Sequence, residues 1–156
     1  MARRKKPERY EIPPDVRYKN EEVQSFINRV MRRGKKTLAA RIVYDAMDLI
    51  EVRTKKDALE IFQQAINNVS PLMEVKPRRV GGATYQIPME VPPHRRFALA
   101  TRWILQAAKS KPGKSFSEKL ADELIDAANN TGAAIRKRDE THKMAEANRA
   151  FSHYRI

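Results

Sequence analysis

Residues 76–96 read KPRRVGGATYQIPMEVPPHRR and bring together the side chains most suited to chemistry with a polyanion. Lys76, Arg78 and Arg79 precede the Gly81-Gly82 pair, Tyr85 follows it, and Arg95 and Arg96 close the stretch. Guanidinium and ammonium groups beside an aromatic ring suit a phosphate backbone whose bases can stack. Tyr85 has a plainer alternative, packing across a ribbon against Val80 or Arg79. A second cationic cluster, Arg3, Arg4, Lys5 and Lys6, sits at the start of the chain.

Signals for catalysis are poor. Gly34-Lys35 resembles the end of a phosphate-binding loop, but that motif needs glycine at 29 and Ser or Thr at 36, where Arg29 and Lys36 stand. The three histidines, His94, His142 and His153, lack metal-ligand spacing and have no cysteine companions. Acid pairs such as Asp122/Glu123 and Asp139/Glu140 alternate with bases as solvated helix faces do. No enzyme activity, cofactor, metal or small-molecule substrate is expected.

Composition points the same way. Among 156 residues, 32 Lys+Arg face 19 Asp+Glu, a net charge of +13. Such a charge favours a polyanionic partner. Nucleic acid ranks first and an anionic membrane surface second. No apolar run is long enough to span a bilayer, and the basic N-terminus is followed by no signal-like apolar core. Cysteine is absent, which fits a cytosolic protein.

The elements that must position these residues are mostly helical, in one domain over 1–156. Residues 1–19 show no helical period and read as an extended basic arm. Asn20 suits an N-cap, with Val23, Phe26, Ile27 and Val30 at helical spacing and Gly34 as a left-handed C-terminal cap. A second helix is expected from about Thr37 to Val52, with Leu38, Ile42, Ala46, Leu49 and Ile50 inward. A third starts near Thr54 or Lys56 and stops at Ser70-Pro71. Pro92-Pro93 start a fourth, which ends around Lys111-Pro112-Gly113. Ser115 and Glu118 have capping-box spacing for a fifth. The last runs near Ala133 to Asn148 on a thin stripe of Ile135, Met144 and Ala145, so it is expected to be exposed or to face a polar partner.

Between the third and fourth helices, residues 72–91 switch to period two on both sides of Gly81-Gly82. This is a β-hairpin signature, with glycines supplying the positive φ of a tight turn. Each strand of about eight residues gives a reach of roughly 25 Å. No other strand can extend the sheet, so a protruding arm is expected. The fold class is therefore mainly α: about six helices, one protruding two-stranded hairpin and the basic arm.

Four stretches, MRRGKKTLAARIVYDA (31–46), MEVKPRRVGGATYQIPMEVPPHRR (73–96), RFALATRWILQAA (96–108) and HKMAEANRAFSHYR (142–155), closely resemble the small-subunit ribosomal protein seven family in its bacterial form. The resemblance covers essentially the whole chain. It implies a structural constituent of the small ribosomal subunit, acting in translation on the cytoplasmic ribosome. It further implies a primary binder of the three-prime major domain of small-subunit ribosomal RNA, one that nucleates the head. Exit-site transfer RNA and the messenger path would lie nearby, with small-subunit proteins nine and eleven as neighbours. By position, it assigns ribosomal RNA contacts to Arg3, Arg4, Lys5, Lys6, Gly34, Lys35, Lys36, Lys76, Arg78, Arg79, Arg95, Arg96 and Arg102. Gly81, Gly82, Tyr85, Lys143 and Arg149 would lie towards transfer RNA. The rival from another class is a DNA-bending architectural protein, which would carry an apolar wedge at the ribbon tip. Here the tip is Gly81-Gly82-Ala83.

Overall fold

Caps and breakers written into the chain set the element boundaries. A computed structural model describes residues 10–113 and 115–154, and the order among them is α1 (Glu21–Val30), α2 (Lys36–Thr54), α3 (Ala58–Val69), β1 (Met73–Val80), β2 (Ala83–Glu90), α4 (Pro93–Ser110), α5 (Phe116–Ala128) and α6 (Ala133–Ala147). A 3-10 segment, Arg149–Tyr154, follows. Arg3, Arg4, Lys5 and Lys6 lie outside the described residues. Asn20 caps α1 through bonds from the Glu22 and Val23 amides, Asp57 caps α3, and Ser115 accepts the Glu118 amide at the start of α5. Each satisfies a donor that the first helical turn leaves open.

α5 is the central helix and packs against α2, α3 and α4. Phe26 of α1 meets Phe62 of α3 edge-on at 5.3 Å, and Ile104, Leu120 and Leu124 are buried beside them. Each such side chain contributes about 1.5–3 kcal/mol by leaving water, enough to make this a rigid platform for surface groups.

Several expectations are corrected. Gly34 does not cap α1, whose C-cap is Met31. Instead Arg33 and Gly34, with φ of 53° and 71°, form a tight turn closed by the Lys35 amide on the Arg32 carbonyl. Lys55, in the left-handed region, ends α2, so Thr54 belongs to α2 and α3 starts at Ala58. The inward stripe of α2 is Ala39, Val43, Ala46, Met47 and Ile50, while Leu38 is 46% exposed. Apolar residues surround much of this helix, so periodicity alone did not choose its buried face. Met144 of α6 is also exposed. Residues 16–18, at the end of the expected extended arm, form a turn. Asp15 is only 2% exposed and accepts the amides of Arg17, Tyr18 and Asn20 and the Tyr44 hydroxyl. Burial raises the Asp15 carboxyl, but these bonds outweigh it and hold it below the usual range.

β1 and β2 pair antiparallel, with Val80 opposite Ala83 across the two-residue turn. Gly81 and Gly82, at φ 57° and 89°, supply the positive φ this turn requires. The register puts Arg78 opposite Tyr85, Lys76 opposite Ile87 and Glu74 opposite Met89. The apolar set of β1 therefore lies on the opposite face from that of β2. The base of the ribbon is covered, with Glu74, Ile87 and Pro88 buried. Its outer half, Lys76–Arg79 and Gly81–Thr84, is exposed.

Candidate nucleic-acid interface

The starts of α1–α5 divide into two kinds, while α6 is capped from α5 by Glu123. α1, α3 and α5 carry a capping side chain and an acid in the first turn. α2 and α4 have neither. Their first turns instead hold cations: Lys35 and Lys36 at α2, Arg95 and Arg96 at α4. Cations at the positive end of a helix are unfavourable. At α2, whose start has no side-chain cap, they make a place for an anion; at α4, Pro93 has no N–H and the Arg95 and Arg96 amides already bond the Pro92 carbonyl.

The first patch joins the turn at 32–35 to the outer face of α4. Arg32, Arg33, Gly34, Lys35 and Lys36 are exposed, as are Arg102 and Lys109. No ion pair involves Arg29, Arg32, Arg33, Lys35, Lys36 or Arg102 among the described residues. Several cations elsewhere are paired with acids. Arg17 pairs with Asp48, Arg53 with Asp122, Lys137 with Glu140 and Arg138 with Asp139.

The second patch is the hairpin. Arg78 and Arg79 are exposed on opposite faces of β1, and Lys76 stands 3.5 Å from Glu74. Gly81 and Gly82 form the open tip, with no atom near the position a Cβ would take. Tyr85 is half-buried, and its ring lies 5.3 Å from Phe151 of the 3-10 segment. The C-terminal segment is therefore one packing partner of Tyr85.

Two of the arginines at the start of α4 hold the ribbon in place. Arg95 grips Glu74 with two bonds, Nε to Oε1 at 2.8 Å and Nη2 to Oε2 at 3.0 Å. The Glu74 bonds raise the Arg95 pKa further above its ordinary value. Arg96 Nε donates to the Val91 carbonyl at 2.8 Å. Lys143 and Arg149 are exposed on α6 and at the start of the 3-10 segment, near the base of the ribbon.

His142 was missed as a structural residue. Its Nε2 accepts the Leu72 amide at 3.0 Å, tying α6 to the start of β1. Burial, then the Arg138 charge, push its pKa down, with Asp139 opposing. No sequence signal links residues 70 apart. Glu123 is 0% exposed, unlike the solvated acid that its pairing with Asp122 suggests. In fact its Oε1 accepts the Ala134 amide at 3.0 Å and caps α6 from α5, while Lys111 stands 3.1 Å from Oε2.

The whole-chain comparison decides the family. The description "Ribosomal protein S7p/S5e" matches residues 2–149. The chain belongs to the ribosomal protein S7 family. Small ribosomal subunit protein uS7 of Thermomicrobium roseum is 64% identical over 155 residues, covering 99% of each chain. The uS7 proteins of Acaryochloris marina and Thermotoga maritima are each 58% identical, the first covering 99% of both chains, the second 98% of this chain and 99% of its own. S7 proteins are structural proteins and not enzymes.

Proposed function

We propose that the chain is a primary binder of small-subunit ribosomal RNA that seats on the three-prime major domain and nucleates assembly of the head. As an S7 family member it is a structural constituent of the small ribosomal subunit. The observation that carries the finer reading is the patch of cations without carboxylate partners around the turn at 32–35, set beside the uncapped start of α2. A folded RNA supplies phosphates at the short spacing such a patch can meet. Lys35, Lys36, Arg79 and Arg102 contact ribosomal RNA in this reading, as do Lys76 and Arg78. Arg3, Arg4, Lys5 and Lys6 extend that contact, and Gly34 lets the turn approach closely. Arg95 and Arg96 orient the ribbon first and border the RNA second.

Gly81, Gly82 and Tyr85 at the outer ribbon, with Lys143 and Arg149, lie towards the exit-site transfer RNA and the messenger. Proteins nine and eleven of the small subunit are the neighbouring proteins, and the ribosome is the cytoplasmic one. The test is footprinting on naked small-subunit ribosomal RNA with competition by duplex DNA. Protection confined to the three-prime major domain is expected. Equal affinity for DNA of the same length overturns the reading.

A further inference from the structure

Beside the turn at 32–35 runs a groove of about 460 Å³. Its floor is apolar, formed by Leu38, Ile42, Leu105 and Phe116. Its rim is cationic: Arg29, Arg32, Arg33, Lys35 and Lys109 line it, and among the described residues no carboxylate does. Arg102, Leu105 and Lys109 follow one another along α4 at spacings of three and four, so they share one helix face. Arg102 stands one turn before Leu105 on that face, near enough for its charge to be felt at Arg29 of α1. Partial burial, then the like charge of Arg102, lower the pKa of Arg29. Two guanidiniums that repel one another without a carboxylate leave room for an anion between them. Leu38, which periodicity assigned to the core, is open to solvent at the groove floor.

A flat apolar body with a negative charge at its edge matches this arrangement. We propose that the groove is a single-nucleotide subsite, which takes one unstacked RNA base on the Leu38, Ile42 and Phe116 floor while Arg29 and Arg102 share its flanking phosphate. The proposal rests on the ribosomal RNA reading and adds four contacts, Arg29, Leu38, Ile42 and Phe116, that the resemblance did not assign to RNA. RNA is favoured over an acidic protein segment because the rim charges surround the floor on several sides. A nucleotide brings ring and phosphate together within one residue.

The test is binding of the full chain to a transcript of the three-prime major domain across a salt series, with an unrelated transcript of equal length as reference. Arg29→Gln, Arg102→Gln and the double variant are compared with the parent. One shared phosphate predicts that the double variant lowers the salt slope by about one, since each neutralised phosphate contributes ~0.7–0.9. A fall of about two means separate phosphates and overturns the clamp. Leu38→Ser and the groove-filling Leu38→Trp should each weaken binding on the order of tenfold, the scale of one lost base contact, with the slope unchanged. Both are checked by thermal melts for an intact fold. A parent chain that fails to prefer its transcript refutes the ribosomal RNA reading itself. A parent that does prefer it, beside groove variants that bind like the parent, refutes only the subsite and leaves the groove to an acidic protein segment.

Discussion

Glu74 and Arg95 offer the sharpest test of what holds the ribbon. Glu74 has a side chain only 10% exposed, while that of Arg95 is 44% exposed. Breaking a fully buried pair costs about 3–5 kcal/mol, and an exposed pair is worth about 0–1 kcal/mol. With two well-aligned bonds and one half-exposed partner, the coupling should fall between these, at about 1–2 kcal/mol. A double-mutant cycle of Glu74→Gln, Arg95→Gln and both together, read by thermal and denaturant unfolding, measures it. For a chain of this size the Glu74→Gln melt should drop by roughly 2–8 °C. RNA affinity should also fall, because a loosened ribbon must be ordered on binding, but Glu74→Gln should not flatten the salt slope. A coupling below ~0.5 kcal/mol, within ordinary additivity error, together with a slope reduced by about one in Arg95→Gln, would refute the reasoning. Arg95 would then be an RNA ligand first and a ribbon tie only in the free protein.

Gly132 sits at φ 95° and ψ 176°, a region essentially reserved for glycine, and an added Cβ would meet Glu123 Oε1 at 3.0 Å and Asp126 Cβ at 3.1 Å. Gly132→Ala should therefore cost about 3 kcal/mol from backbone strain and a displaced cap, seen as a melt lower by roughly 6–12 °C. His142 is neutral where it accepts the Leu72 amide, and its folded pKa lies below its unfolded value. Its contribution is then complete above the ordinary histidine pKa and is lost as pH falls through the lowered folded value. Hydrogen exchange at Leu72 should accelerate over that acid range, and His142→Gln should remove the pH dependence. Deleting residues 1–9 should leave the melt unchanged, since the Asp15 turn and every apolar stripe remain. It should also make the salt slope for RNA shallower, because Arg3, Arg4, Lys5 and Lys6 no longer displace counterions.

What the sequence by itself determined is the part of the molecule governed by interactions a few residues long. Asn20 and Ser115 cap the helices they precede, Pro93 opens α4, and Gly81-Gly82 turns the hairpin, because a cap or a positive φ acts within one turn of chain. The excess of cations is likewise a property of the chain and not of its fold. Tertiary structure decided which of those cations stay available. Arg95 is bound by Glu74, 21 residues away, while Arg29, Arg32 and Lys35 find no acid among the described residues. It also decided which face of α2 is buried, since that depends on where α5 comes to rest, and so whether Leu38 is core or groove floor. The ribbon makes the same point. Alternation announced two strands, but the two-residue turn set a register that put their apolar sets on opposite faces. The covering contacts then came from Phe151 against Tyr85 and His142 on Leu72, 66 and 70 residues away. Pairs so distant in sequence leave no periodic trace; they exist only once the helices between them have packed.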